Sequence, residues 1–216
     1  MKQLIDHLVS SGVLKSRGII EAFQRIDRAD FVPDEFRDSA YVDEPLPIGY
    51  GQTISQPWTV AFMLELLAPE GGESILDIGS GSGWQTALLA YIVSHDREGN
   101  EFSENQSGRV IGIEVIPELA RRGRENLFKY NFIKRGIAEI HCLNAAKGYP
   151  GVREFDRIIA AASATEIPDA WKRQVKIGGR IVAPVGSHIV VMKKENQKDF
   201  TIERHEGFAF VPFVEK

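Results

Sequence analysis

Three glycines spaced two apart, Gly79, Gly81 and Gly83, follow an apolar run at 74–78 and precede an Ala/Leu-rich run that continues to about Ser94. Strand, tight turn, helix is a layout that offers a ligand free backbone N–H groups and the positive end of a helix dipole. Glycine lets that backbone approach without a Cβ in the way. Ser80 and Ser82 sit between the glycines and belong to the same candidate ligand loop. A second apolar run, 109–114, ends in Glu114, where a carboxylate can accept hydrogen bonds from both hydroxyls of a ribose.

The spacing narrows the ligand. Glu114 lies 31 positions beyond Gly83, against roughly 20 in dinucleotide folds. The polar stretch 96–108 supplies most of the excess. Gly-x-Gly-x-Gly also departs from the Gly-x-Gly-x-x-Gly of nicotinamide enzymes, and no hydride-transfer constellation accompanies it. The pattern fits a ligand with a carboxylate and a ribose but no pyrophosphate, a description that S-adenosylmethionine meets. Asp77 would then hold its ammonium, directly or through water, the helix start its carboxylate, and Glu114 its ribose. A structural glycine turn beside an incidental acid is the plainer alternative. The strand before, the helix after and the acid ending the next strand weigh against it.

The methyl acceptor follows by elimination. Methylation of an exocyclic base amine commonly uses an Asn/Asp-Pro-Pro-aromatic tetrapeptide after the fourth strand, where this chain has Ala160-Ala-Ala-Ser-Ala164. Methylation at a base carbon often needs a cysteine, and Cys142, the one cysteine, falls within a strand pattern where burial in the core is the simplest reading. Metal-assisted chemistry wants clustered acids or histidines, and the five histidines are scattered. What remains is an acceptor that needs no activation. A carboxylate is already ionised at neutral pH, so its site must supply position and desolvation rather than a base.

The surrounding pattern is that of an α/β protein. Apolar residues at three- and four-residue spacing predict helices over 2–11 and 17–26 that cover the core. A short helical turn is expected at 35–40. Residues 43–58, with three prolines and two glycines, cannot make a long helix and read as a long, ordered and therefore functional connection. A helix follows at 59–67, with Ser55 as its cap or Pro57 in its first turn. Strands are expected at 74–77, 109–114, 138–143, 155–162 and 179–185. Helices fall between them at 84–94, 117–131 and 168–175, the last closed by Lys176-Ile-Gly-Gly. Residues 189–193 and 200–203 are expected to form a late hairpin, and 208–214 a further strand. Residues 96–108 read as a mobile surface loop. Alternating strands and helices give a Rossmann-like, mostly parallel sheet with helices on both faces and an antiparallel edge.

Composition sets the outer bounds. The 216 residues are 43% hydrophobic, enough for one core and short for two. The expected organisation is one domain, 1–216, with an N-terminal helical addition and substrate loop at 1–58 and the Rossmann-like core at 59–216. Net charge is −4, which offers no basic face for duplex nucleic acid. One cysteine leaves no disulfide or thiolate zinc site. Without a membrane-length apolar run or a leader-like start, the expectation is a cytoplasmic monomer that binds neither membrane nor nucleic acid and uses no metal.

Three stretches carry a resemblance across nearly the whole chain: Gly49-Tyr-Gly-Gln-Thr-Ile-Ser-Gln-Pro57, Leu76-Asp-Ile-Gly-Ser-Gly-Ser-Gly-Trp-Gln85 and Lys176-Ile-Gly-Gly-Arg-Ile-Val-Ala-Pro-Val-Gly186. Phe155-Asp-Arg-Ile-Ile159 and Phe210-Val-Pro-Phe213 extend it. Together they resemble the protein-L-isoaspartate O-methyltransferases, and Gly-Gln-Thr-Ile-Ser is the specific part. The resemblance implies an S-adenosylmethionine-dependent enzyme that esterifies the α-carboxylate of isoaspartyl residues in damaged proteins and peptides. The rival readings are a methyltransferase of the same fold with another carboxylate or a small molecule as acceptor, and a non-catalytic cofactor-binding module. By this likeness Ser55 orients the acceptor carboxylate, and Gln52, Thr53, Ile54 and Trp58 surround it. The family usually has Gly-Asp-Gly after the third strand, its Asp near the adenine amine. Here Leu143-Asn144-Ala145 holds that place, so Asn144 offers a neutral acceptor, with Ala145 beside it. Trp58 replaces a residue that is often smaller.

Overall fold

The computed structural model describes residues 1–103, 106–151 and 154–212. Helices α1 (Lys2–Ser10) and α2 (Arg17–Arg25) open the chain, followed by two 3-10 turns at Arg28–Phe31 and Asp34–Ser39. The connection at 43–58 holds a small antiparallel hairpin, β1 (Leu46–Gly49) and β2 (Gln52–Ile54). Period-2 alternation over so few residues is too short to announce a strand pair. Its tip, Gly49-Tyr50-Gly51, takes three consecutive positive φ angles of 94°, 55° and 71°. Leu46, Ile48 and Ile54 point inward to the core. Helix α3 (Pro57–Leu67) begins at Pro57 with Gln56 as N-cap, so proline opens the helix and Ser55 stands free of the capping role.

The central sheet contains β3 (Ser74–Ile78), β4 (Arg109–Glu114), β5 (Ala138–Cys142), β6 (Phe155–Ala160), β7 (Val175–Val185), β8 (His188–Lys194) and β9 (Phe200–Glu206). Their spatial order is β5-β4-β3-β6-β7-β8-β9, with β3 to β7 parallel and β8 and β9 antiparallel. This is the expected mostly parallel, Rossmann-like sheet with an antiparallel edge. Successive residues alternate between two apolar layers. Ile75, Val110 and Ile159 face the layer that holds α3, α4 (Trp84–Val93) and α5 (Pro117–Lys129). Leu76, Ile111 and Ile158 face the layer closed by Trp171 of α6 (Asp169–Gln174). Helix α4 is buried nearly all round, as an apolar helix without a polar face must be. The N-terminal helices make this possible: α2 packs on α4, and the Phe23 ring meets Trp84 edge-on at 5.6 Å.

Four local expectations change. Cys142 is exposed, because β5 is the outer strand of the sheet and Cys142 is its last residue. Strand β7 begins at Val175, so Lys176-Ile-Gly-Gly belongs to a strand with a break in register, and Gly178 with φ 81° absorbs it. Of 208–214, the described part forms no strand: it makes an isolated bridge from Pro212 to Ser163, and the Phe208 amide donates to the Ser187 carbonyl at 3.2 Å; Phe213 and Val214 lie outside the described residues. The described part of 96–108 is folded onto the body. Asp96 accepts from the Glu98 and Asn100 amides, Arg17 donates to the Glu98 carbonyl, and Phe102 packs against Gly71.

Candidate active site

In an open α/β sheet, ligands bind beyond the carboxyl ends of the strands where the order reverses. Here that point lies between β3 and β6. A cleft of about 610 Å³ opens there. Its walls are Gly79 and Gly81 after β3, Glu114 to Ile116 after β4, Leu143 and Ala145 after β5, Ala161 and Ala162 after β6, and Ile48, Gln52 and Thr53 from the hairpin. An adjoining hollow of about 340 Å³ reaches Ser55, Ile54, Ser80, Ser82, Trp84 and Gln85. An outer groove of about 900 Å³ runs along Pro45, Ser55, Gln56, Thr59 and residues 209–212. Thr53 and Ala161 line all three spaces. Residues 24 and more apart in the chain, Ser55 and the glycine turn, therefore share one wall.

The glycine turn is braced from every side. Gly79 and Ser80 donate to the Ile113 carbonyl at 2.8 and 3.1 Å. Gly81 donates to Glu114 Oε2 at 2.8 Å, and Ile116 to Glu114 Oε1 at 2.9 Å. Asn126 of α5 donates to the Ser82 carbonyl at 2.9 Å. Gly83, φ 90°, lies so close to Gly123 of α5 that a Cβ would stand 3.2 Å from its Cα. Gly83 thus serves tight packing of turn on helix. Ser80 Oγ and Trp84 Nε1 are buried without a hydrogen-bond partner among the described residues. Their residues line the smaller hollow, but the two polar atoms themselves are enclosed by protein.

Asp77 is placed differently from the ammonium ligand foreseen for it. Its side chain is wholly enclosed, with Oδ1 accepting from Gln85 Nε2 at 2.7 Å and Oδ2 from Thr86 Oγ1 at 2.6 Å. It ties β3 to the first turn of α4 rather than facing the cleft. Burial pushes its carboxyl up to about 6; the Thr86 and Gln85 hydrogen bonds oppose that rise, and Glu114 adds to it. A raised acid binds its proton more tightly folded than unfolded, so this group favours the folded state below pH 4 and loses that effect as pH rises through about 6. Asp77→Asn should therefore gain stability relative to the parent between pH 4.5 and 7.5, on the order of 2 kcal/mol. Thermal melts of both proteins at the two pH values check this; parallel curves would contradict it.

The remaining candidates divide. Glu114 is nearly buried and on the cleft wall, with a lone pair left on each oxygen for a hydroxyl. Asn144 Oδ1 accepts from the Ala146 amide at 2.8 Å and so caps the 3-10 turn Ala145–Lys147. Ala145 lines the cleft, and its carbonyl anchors Trp171 Nε1 at 2.7 Å. Trp58 lies outside the lining of these spaces. Its indole stacks on Phe62 at 5.2 Å and Phe208 at 6.3 Å, and its amide is held by Asp43 Oδ1 at 2.8 Å. Sequence reasoning passed over Gly123 and Asn126; an unexplained glycine inside a helical pattern was the available signal. It also passed over the apolar walls Ile48, Ile116 and Val211, which carry no chemical mark. Among the described residues no group of three or more His, Cys, Asp or Glu is arranged to hold a metal.

Comparison with known proteins agrees with this arrangement. The profile of the protein-L-isoaspartate(D-aspartate) O-methyltransferases matches residues 1–216. A protein-L-isoaspartate O-methyltransferase of Methanopyrus kandleri is 39% identical over 217 residues, covering 99% of this chain and 90% of the relative. One of Aeropyrum pernix is 44% identical over 216 residues, covering 98% and 78%. In fold, the chain superposes with a TM-score of 0.87 on a Plasmodium falciparum protein-L-isoaspartate O-methyltransferase in complex with S-adenosyl-L-homocysteine, at 23% identity and 100% and 98% coverage. Matched end to end by this profile and by relatives of such identity, the chain is a member of the protein-L-isoaspartate(D-aspartate) O-methyltransferase family.

Proposed function

We propose that the protein transfers a methyl group from S-adenosylmethionine to the α-carboxylate of L-isoaspartyl residues in damaged proteins and peptides. One observation carries this reading: Thr53 lines the cleft, the smaller hollow and the open outer groove, and Ser55 stands between the smaller hollow at the glycine turn and that groove. A small donor on one side and a polypeptide on the other would meet there.

The residues fit the donor. The glycine turn and the start of α4 suit its carboxylate. Glu114 suits the ribose, and Ile116, Leu143 and Ala145 give an apolar seat for a purine. The donor supplies an electrophilic sulfonium methyl: a carboxylate oxygen forms the new O–CH3 bond as the S–CH3 bond breaks, leaving S-adenosylhomocysteine and a methyl ester. No proton moves, so the chain's work is positional. Ser55 donates its hydroxyl to one acceptor oxygen and aims the other at the cleft. Thr53 and Ile54 exclude water from the junction. The hairpin backbone and residues 209–212 flank an extended peptide in the outer groove.

The chain is read as a cytoplasmic monomer with protein and peptide as its macromolecular partners; a net charge of −4 is in keeping with this. Among the described residues, no helix is long and apolar enough to cross a membrane. The test is methyl transfer from labelled S-adenosylmethionine to paired peptides that differ only in isoaspartyl, D-aspartyl or aspartyl linkage. The isoaspartyl peptide should be labelled and the aspartyl peptide left at background. Equal labelling of both would favour a less selective carboxylate acceptor. Cofactor binding by calorimetry without any transfer would favour a binding module.

A further inference from the structure

Arg28 is the most deeply buried charged side chain that the proposed chemistry leaves without a role. It has no exposed surface. Burying an arginine has a cost that its hydrogen bonds must offset; here the two terminal nitrogens find acceptors, while Nε has none among the described residues. Its acceptors are all backbone carbonyls. Nη1 donates to Ala40 at 2.8 Å and Val42 at 3.2 Å; Nη2 donates to Glu44 at 2.9 Å and Ser55 at 3.1 Å. The guanidinium carbon lies 5.3 Å from the centre of the Trp84 ring. Trp84 is the first residue of α4, next to Gly83 of the glycine turn.

From these contacts we infer that Arg28 is a positioning residue for methyl transfer, a clamp that sets Ser55 against the donor cleft. This inference rests on the function proposed above. The guanidinium plane joins three separate pieces of the chain: the 40–44 segment, Ser55, which orients the acceptor, and the start of α4. Holding the Ser55 carbonyl limits the backbone rotation that would swing its hydroxyl away from the junction. The neighbouring bonds close the frame. Gln56 Nε2 donates to the Asp43 carbonyl at 3.0 Å and the Trp58 amide to Asp43 Oδ1 at 2.8 Å. Arg28 itself is fixed at the start of a 3-10 turn capped by Asp27, whose Oδ1 accepts from the Ala29 amide at 2.9 Å. Burial lowers its pKa to about 10, with Asp43 opposing the fall, so the clamp stays charged at neutral pH.

Lysine keeps the charge but presents one ammonium where two nitrogens of a flat fork now reach four carbonyls. Arg28→Lys should lower kcat for an isoaspartyl peptide about tenfold, as a displacement of reacting groups by a fraction of an ångström does. Its dissociation constant for S-adenosylhomocysteine, read by calorimetry, should stay within about threefold of the parent value, because lysine leaves the glycine turn's own braces intact. Hydrogen exchange should quicken in peptides covering residues 40–58 and stay unchanged across β3 to β8. An unchanged kcat at a temperature where the variant is folded overturns the proposal. So does an equal loss of cofactor affinity, or a general rise in exchange. Should Arg28→Lys fail to fold, Trp84→Leu carries the test. It keeps the four carbonyl bonds and removes the aromatic face, and should lower kcat severalfold while the exchange of 40–44 stays slow; an unchanged kcat there removes the link to α4. Parent protein that labels no isoaspartyl peptide defeats the functional reading, whereas active parent with an equally active Arg28→Lys defeats the clamp alone.

Discussion

Ser55→Ala is expected to lower turnover on an isoaspartyl peptide on the order of 10²-fold while leaving cofactor affinity close to that of the parent. Ser55 lines both the smaller hollow at the glycine turn and the outer groove. A hydrogen bond to a charged acceptor contributes about 1.5–3 kcal/mol, and most of it acts where the carboxylate must be aimed. The substitution leaves intact the bonds that hold the loop, because Arg28 grips the Ser55 carbonyl rather than its side chain. Steady-state kinetics paired with calorimetry check this. Turnover within threefold of the parent would remove Ser55 from the mechanism.

Glu114→Gln should have an effect of similar size in the opposite place, on the donor rather than the acceptor. Each oxygen of Glu114 already accepts one backbone amide, from Gly81 and from Ile116. Glutamine has one carbonyl and one amide donor, so whichever way it turns, an N–H faces an N–H. One amide loses its partner, the glycine turn loosens, and one ribose acceptor disappears. Together these losses should weaken S-adenosylhomocysteine binding on the order of 10²-fold, or about 3 kcal/mol. Calorimetry reads it directly. A dissociation constant within threefold would mean that Glu114 braces the turn without touching the ligand.

Particular residues show where sequence reading succeeds and where it stops. The end of β4 at Glu114 and the glycine turn were legible because local rules govern them. An apolar strand, glycines with positive φ and a following helix must occur in that order along the chain. Asp77 shows the limit. Its type and position suited a ligand group, but the direction of its side chain depended on Gln85 and Thr86 one turn into α4. Cys142 looked like core because it falls within a strand pattern, yet strand order made β5 the sheet edge. Trp58 stood next to the active stretch in sequence and turned instead to Phe62 and Phe208.

Periodicity and glycine placement are properties of neighbouring residues, so the alternating α/β order and the anion-ready turn could be read from the chain alone. The likeness of Gly51-Gln-Thr-Ile-Ser55 to a known family added the acceptor loop. Folding alone brought position 55 to position 81, turned Asp77 inward, and buried Arg28 among four carbonyls drawn from two separate segments. Those outcomes depend on long-range packing: where a strand lies in the sheet and which helix covers it decide whether a side chain meets water, ligand or protein.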